Sequence, residues 1–448
     1  MKHQGLSAEE IIRLNREHSL FSWSVQSSVN PIPVVGGKGV RFWDARGKSY
    51  IDFTSQLMNV NIGHQHPKVV QAIVDQANTL CYAYPGMATE PRGLLAKMLA
   101  EVAPGDLNKV FFTLGGAEAN ENAIKIARAY TGRHKIIARY RSYHGATYGA
   151  IAATGDPRRW PAEPAIPGVV HVLDPHCYRC PFGWTLETCR RECITHVDEV
   201  IQMEGPDQIA ALLFEGVTGS NGIIVPPPDY WPRVREICDK YGIPLISDEV
   251  MSGFGRTGQW FVVNHWDVTP DMISTAKGIT SGYLPLGAVI VSQRIADYFE
   301  DHMLWCGLTY SGHPLACAAG VATLQVYHEE GLIEHAAQMG RVLGQRLEDL
   351  KRRHPSVGDV RYTGFFSVIE LVKNKATKEP VAPWNAKASE MGPMPQITKY
   401  LLDHGLFTYL RWNWLFVVPP LCITEEELDE GLAIVDQALA ISDAVCTG

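Results

Sequence analysis

From about residue 92 to residue 292, short apolar runs alternate with helical stretches, and this alternation narrows most what the chain can fold into. The runs at 109–113, 135–138, 210–214, 244–247, 272–275 and 287–292 predict strands. The stretches at 92–102, 117–130, 197–203, 230–241 and 294–298 predict helices between them. Strands that are apolar at nearly every position are buried on both faces, so a mostly parallel sheet covered by helices is expected. The last third reads differently. Helices are expected at 316–329 and 333–353, and a long strand at 360–372 interrupted by Gly364. A Pro- and Gly-rich loop follows at 382–394, then strand character at 406–418 and a closing helix to about residue 440. At the N-terminus, Ser7-Ala8-Glu9-Glu10 has the spacing of a capping box ahead of a helix. An extended arm, a hairpin over 39–53 and a helix over 67–78 come next. The expected division is 1–60 as an arm and part of a small α+β domain, 61–325 as a large α/β domain, and 326–448 as the rest of the small domain. A cleft should lie between the two.

Composition removes several classes of function. A formal charge of −8, with no dense Lys/Arg run, argues against a nucleic-acid partner. No apolar stretch approaches the ~18 residues that cross a bilayer, and no secretion signal opens the chain, so a cytoplasmic protein is expected. The ten cysteines should then be thiols rather than disulfides. Cys177, Cys180, Cys189 and Cys193 are spaced C-x2-C-x8-C-x3-C, with His176 and His196 nearby. That spacing fits either a metal knuckle or a surface insertion with incidental thiols. The segment is long, loop-like and remote from the chemistry described next, so no metal is expected.

The chemistry gathers at strand ends. Ser247-Asp248-Glu249-Val250 closes one apolar run on acids, and Ala276-Lys277-Gly278 follows another. A lysine can form a Schiff base with a cofactor aldehyde, and an acid can keep a pyridine nitrogen protonated so that the ring accepts electrons. Leu114-Gly115-Gly116-Ala117 lies between a strand and a helix, where glycine lets an anion approach free N–H groups. A tight turn would need the same glycines. Tyr143-His144-Gly145 could stack on a planar ring or simply pack. Glu215 sits past a strand end, at the edge where open parallel sheets bind ligands. Thr309 or Ser311, ahead of a helix, could donate to a phosphate, and Ser311 serves equally well as an N-cap.

In combination these segments resemble the class III pyridoxal-phosphate-dependent aminotransferases. The order Gly-Gly-Ala-Glu-Ala-Asn-Glu-Asn-Ala, Tyr-His-Gly, Asp-Glu-Val, Gly-Phe-Gly-Arg-Thr-Gly, Ala-Lys-Gly and Thr-Tyr-Ser-Gly-His-Pro is that of the family, from about Gly39 to Ala440. Within it the chain looks most like the ω-amino-acid and amine:pyruvate group, which includes taurine:pyruvate aminotransferases. The resemblance implies the aspartate-aminotransferase-like fold type I, with a seven-stranded sheet in the large domain, which holds pyridoxal 5'-phosphate. It implies a homodimer, or a dimer of dimers, with sites at the subunit interface. It makes Lys277 the Schiff-base lysine and proton shuttle, and Asp248 the partner of the ring nitrogen. Val250 and Tyr143 flank the ring, beside His144. Gly116 and Ala117 hold the phosphate with Thr309 of the other copy, and Glu215 is the switchable partner of a mobile arginine. Trp23, Met58, Tyr82, Tyr143 and that arginine wall the substrate pocket.

Two departures stand out. Gly115-Gly116-Ala117 replaces the family's Ser-Gly-Ser or Thr-Gly-Ser, which removes two hydroxyl donors. The mobile arginine is assigned to Arg411 in Tyr409-Leu410-Arg411-Trp412, although the family position falls nearer Tyr409; a planar fork suits a carboxylate. A second, fixed cation for an α-carboxylate is not evident. The expected reaction is ping-pong amino transfer from an ω-amino acid or primary amine, of the taurine, β-alanine or arylalkylamine type, to pyruvate. A 2-oxoglutarate-dependent 4-aminobutyrate type is the alternative, ahead of a racemase, decarboxylase or aminomutase on the same scaffold, or a non-catalytic relative.

Overall fold

A computed structural model describes residues 5–447 of the chain. Seven strands form the central sheet, in the spatial order Leu107–Thr113, Gly287–Ser292, Met272–Thr275, Leu245–Asp248, Ile209–Glu215, Lys135–Arg139 and Val169–Val172. All neighbours are parallel except Gly287–Ser292, which runs antiparallel to both of its own. The reversal follows from chain length. Residues 276–286 are too few for the crossover of a dozen or more that a parallel return requires, and they hold no α-helix. The mostly parallel sheet expected from the apolar runs is therefore present, with the seven strands that the family resemblance implies.

Every residue of Ile209–Glu215, Leu245–Asp248, Met272–Thr275 and Gly287–Ser292 is buried, which accounts for runs without polar alternation. The helix Gly116–Thr131 packs on this sheet through Ala119, Ala123, Ile126 and Ala127. Small side chains let its axis come close to the strands. Its first turn therefore opens beside the strand ends.

A four-stranded sheet joins the two ends of the chain. Val34–Lys38, Arg41–Asp44 and Ser49–Asp52 pair in sequence, and Leu406–Phe407 adds parallel to the last, Leu406 opposite Ile51. The expected packing of N- and C-terminal segments takes this form. A five-stranded sheet carries Val357–Thr363, Phe366–Asn374, Trp414–Val417 and Leu410–Arg411, with Glu379–Pro380 on Phe366–Asn374. Ser7 caps the first helix, its Oγ accepting from the Glu10 N–H at 3.2 Å. Thr424 and Glu427 form a capping box ahead of the closing helix. Among the described residues no helix is long and apolar enough to cross a membrane.

The structure departs from the sequence reading at several elements. The single strand over 360–372 is a hairpin of Val357–Thr363 and Phe366–Asn374, which turns at Gly364. Tyr148–Ala153, Val169–Val172 and Met394–Asp403 were not anticipated. The first two are too short for a periodic pattern to emerge, and the third opens inside the Pro- and Gly-rich loop. Gly364 has φ 55°, and a Cβ there would stand 2.4 Å from the Thr257 carbonyl carbon. The turn thus needs both a left-handed backbone and an absent side chain. Gly39 has a similar φ of 57° with open space around it. Gly364→Ala should therefore destabilise the protein by on the order of 1–3 kcal/mol from backbone strain, plus the displacement of Thr257. Urea unfolding should show a lower midpoint than for Gly39→Ala. Equal midpoints would count against the steric part of this account.

Candidate active site

Strand register assembles the site. Glu215 lies opposite Asp248, and Asp248 opposite Ser274, on three adjacent parallel strands. Their C-terminal ends share one edge, where open parallel sheets bind ligands. From Ser274 the chain continues through Thr275 and Ala276 to Lys277, which adopts φ 36°. The loop after Lys135–Arg139 brings in Tyr143 and His144. The helix Gly116–Thr131 adds Gly116, Ala117 and Asn120. Gly116, Ala117, Asn120, Tyr143 and His144 line one cavity of about 410 Å³ together with Glu215, Asp248, Val250 and Lys277.

Asp248 is buried and well supplied with donors. Its Oδ2 accepts from Asn120 Nδ2 at 2.7 Å and faces His144 Nδ1 at 2.7 Å, while Oδ1 accepts from the Val250 N–H at 3.0 Å. Asn120 also donates to the His144 carbonyl at 2.8 Å, which fixes the loop to the helix. His144 Nε2 and Asn120 Oδ1 are buried without a partner. Burial brings the Lys277 amine down to about 8 from its ordinary 10.5; Asp248 and Glu215 oppose this, and Arg158 adds to it. Glu215 has both carboxylate oxygens occupied by backbone donors, Tyr143 N–H at 2.9 Å and Gly219 N–H at 2.6 Å. Burial pushes its carboxyl above the ordinary range, with the Asp248 charge adding and His144 opposing.

The glycine turn is a cradle that a side chain would fill. A Cβ on Gly116 would stand 2.6 Å from Val250 Cγ1. Gly115 is extended and makes no side-chain cap, so the first N–H groups of the helix stay free for an anion. Ala117 brings no hydroxyl, as the sequence implied.

The remaining expected residues are dispersed. Thr309 and Tyr82 are exposed and joined, Tyr82 Oη donating to the Thr309 carbonyl at 2.9 Å, and neither lines the cavity of its own chain. Met58 is buried in a cluster with Val217, Trp412 and Trp414, whereas its neighbour Leu57 lines the cavity. Trp23 is 61% exposed and meets the Tyr143 ring edge-on at 6.2 Å. Arg411 is not on Glu215, the partner that the sequence reading gave the mobile arginine. It donates to Asp156 Oδ2 at 3.2 Å and to the Ser220 carbonyl at 3.1 Å. The fold brings the Asp156 carboxylate, and not that of Glu215, within reach of the Arg411 guanidinium.

Sequence reasoning missed Arg158. Its guanidinium lies 3.7 Å from the centre of the Tyr143 ring and forks onto Asp156, with Nε 3.1 and 3.0 Å from the two carboxylate oxygens. The segment Asp156-Pro157-Arg158 matched no motif, although an acid before Pro-Arg at a helix start was a usable signal. The four clustered cysteines line a separate cavity with Phe182, Trp184 and Leu186. Among the described residues, no three potential ligands are placed to hold a metal ion.

Comparison with known proteins agrees with this geometry. The family described as aminotransferase class-III matches residues 23–439. A solved taurine:2-oxoglutarate aminotransferase of Bifidobacterium kashiwanohense, in complex with PLP and glutamate, is 46% identical, with 98% of this chain and 99% of that one covered and a TM-score of 0.94. The leucine/methionine racemase of Thermococcus litoralis is 38% identical over 96% of this chain and 95% of its own. The taurine–pyruvate aminotransferase of Bilophila wadsworthia is 34% identical over 96% of each.

Lys277 should show its lowered pKa directly. In protein free of small molecules, its modification by an amine-selective reagent, read by peptide mass spectrometry, should rise about tenfold per pH unit up to about pH 8 and then level off. Asp248→Asn removes a charge that favours the protonated amine, so the break should move to lower pH. A break that stays near 10.5, or moves upward in the variant, contradicts the assignment.

Proposed function

The chain belongs to the class-III aminotransferase family, and we propose that within it the protein moves the amino group of an ω-amino acid or primary amine to pyruvate, with pyridoxal 5'-phosphate as cofactor. One observation carries this reading: Lys277, Asp248 and the free helix terminus at Gly116 share a single cavity at the strand-end edge. The residues present fit the cofactor. The Gly116 cradle suits a phosphate, Asp248 suits a ring N–H, and Tyr143 and Val250 supply flat and apolar walls. His144 Nε2 and Asn120 Oδ1, buried without partners, leave polar capacity beside them. When bound, pyridoxal phosphate supplies a carbonyl to take up the amino group and a protonated ring to draw electrons from the reacting carbon.

The chain's residues then have separable tasks. Asp248, kept in place by Asn120 and His144, holds the proton on the ring nitrogen. Lys277 anchors the cofactor at rest and moves a proton between substrate carbon and cofactor carbon. An amine near 8 exchanges protons readily at neutral pH in both directions. Glu215 keeps Tyr143 in position through the Tyr143 N–H. Arg158, over the Tyr143 ring and beside Trp23, offers a guanidinium to an anionic tail; its fork and charge suit a sulfonate or carboxylate at the far end of an ω-amine. Trp23, Leu57 and Tyr143 give the apolar part of the pocket.

A second copy completes the site in this reading. Thr309 and Tyr82 stand exposed beside the exposed Tyr310, as residues that serve a partner's cavity would. The division at about residues 60 and 325, and action as a cytoplasmic homodimer, go with the same proposal. A second acceptor, 2-oxoglutarate, is favoured by one specific observation. Arg158 and Arg411 place two guanidinium groups by Tyr143, which suits a dicarboxylate.

The test uses protein reconstituted with pyridoxal phosphate. Taurine, β-alanine or 1-phenylethylamine alone should yield about one equivalent of carbonyl product per site, and pyruvate should restore turnover, as ping-pong chemistry requires. Racemisation of leucine or methionine without amino transfer to any keto acid would sink the proposal. Lys277→Ala should lower turnover on the order of 10²–10⁴-fold through loss of general acid–base catalysis alone.

A further inference from the structure

The four clustered cysteines stand apart from the strand-end cavity and have no part in the transfer chemistry. After the strand Val169–Val172 the chain makes a short helical turn at Cys177–Arg179, then a long loop, and becomes regular again at the helix Glu192–Glu204. Cys177 and Cys180 lie on the first arm of this insertion, Cys189 and Cys193 on the second. All four line one void of about 20 Å³, walled by Phe182, Trp184 and Leu186. A void of that size holds about one water, so little separates the sulfurs. His176 lines it too, with both ring nitrogens buried and unpartnered. A histidine among cysteines suits a metal ion when they surround one point, and among the described residues no three potential ligands do so. The thiols face one another, and all four are free.

They are chemically unequal. Burial first, and then the neighbouring Cys189, push the buried Cys193 thiol up to about 12. Burial and the same neighbour raise Cys177 above its ordinary range. Cys189 is thus the thiol that both of them face. It is half-buried between the exposed Thr188 and Arg190, where a reagent reaches it. Its Sγ accepts from the Arg191 N–H at 3.4 Å. The Arg191 guanidinium, which grips Asp229 at 2.7 Å, touches it as well. A sulfur with a donor N–H and a cation beside it is the best-placed nucleophile of the four.

We propose that Cys189 and Cys177 form a reversible thiol–disulfide site, oxidised by a low-molecular-weight disulfide. This does not rest on the transaminase reading. The Cys189 thiolate attacks one sulfur of the reagent, whose S–S bond breaks; Cys189 keeps one half and the other leaves as a thiolate. Cys177 then attacks Cys189 Sγ. The Cys177–Cys189 bond forms, the mixed disulfide breaks, and the departing sulfur takes the Cys177 proton. The two cysteines lose two electrons and the reagent becomes two thiols. Cys177 is the partner rather than Cys193, because its thiol is the less strongly raised and lies on the opposite arm. The bond joins two separately anchored arms. On the first, Arg179 pairs with the buried Glu370 of the strand Phe366–Asn374 at 2.5 Å, and Lys378, in the turn after that strand, donates to the Tyr178 carbonyl at 2.8 Å. On the second, Arg191 holds Asp229, just ahead of the helix Tyr230–Tyr241. Oxidation therefore staples a segment held by the five-stranded sheet to one held by a helix of the central sheet. In a reducing compartment such a bond is transient, as in redox sensing.

The experiment treats the full chain with glutathione disulfide, blocks the remaining thiols and maps peptides without reduction. Trypsin cuts after Arg179, Arg190 and Arg191, which puts Cys177, the pair Cys180 and Cys189, and Cys193 on three different peptides. The expected product links the first two, has lost two hydrogens, and reverts in excess glutathione; its fragment spectrum places the bond on Cys189. The link should persist in Cys180→Ser and Cys193→Ser and vanish in Cys189→Ser. Cys177→Ser should stop at glutathione held on Cys189. The urea midpoint of the wild type should rise on oxidation, and that of Cys189→Ser should not. A bond to Cys180 or Cys193, a mixed disulfide that never resolves in the wild type, or an unmoved midpoint in the linked protein overturns the proposal. So does zinc or iron that is bound to the purified wild type and released by blocking its thiols, since the cluster is then a metal site. The wild-type map and metal content need no variant, so a variant that fails to fold leaves the site testable.

Discussion

A buried carboxylate such as Asp248 is tolerated only when donors surround it, because an unpaired charge in a protein interior costs several kcal/mol. Asn120 and His144 meet that need, and each comes from a different segment. Asn120 stands one turn into the helix that opens at Gly116. His144 stands in the loop that presents Tyr143. Satisfying one strand-end acid therefore ties together a strand, a helix terminus and a loop. Lys277 enters from the neighbouring strand, where register places Ser274 beside Asp248. The same hydrogen bonds that satisfy the Asp248 carboxylate hold the glycine cradle at Gly116 in place relative to the lysine.

The electrostatics on the two sides of Tyr143 are opposite in design. On the lysine side, Glu215 and Asp248 sit on adjacent strands, and burial raises Glu215 while Asp248 adds to the rise. Those acids also oppose the lowering of Lys277, which holds its amine near 8 rather than letting burial take it further. On the arginine side, a single acid faces two cations and burial loses to them. A negative field under the reacting carbon and a positive one beside the tail would orient an ω-amine with an anionic end, and would explain how selectivity is separated from chemistry in so small a cavity.

Much of this is legible in the amino-acid sequence itself. Lys277, Asp248, Gly116 and Tyr143 are each the end of a local pattern: an apolar run stopping, a glycine pair before a helix, a ring after a strand. The sheet itself was readable, since burial on both faces leaves no polar alternation in its strands. The short elements were not. Val169–Val172 and the helix Tyr148–Ala153 carry too few residues for a period to register. The broken strand at Gly364 proved to be a hairpin, because an apolar run does not say which way the chain turns after it.

Contacts between residues far apart in the sequence depended on packing across the chain. Arg411 and Asp156 are 255 positions apart and meet only in the folded protein. Leu57 lines the cavity while Met58 is turned into the core, a choice made by the backbone between two adjacent apolar residues. The pairing of Arg411 with Asp156 rather than Glu215 was decided by which carboxylate the fold brings within reach of its guanidinium. The amino-acid sequence by itself determined the sheet, the helix terminus and the lysine–aspartate pair, because each is set by hydrophobic pattern and local turn chemistry. Only the tertiary structure decided which charges face one another, because ion pairing depends on distance and burial, and both are properties of the packed chain rather than of neighbours along it.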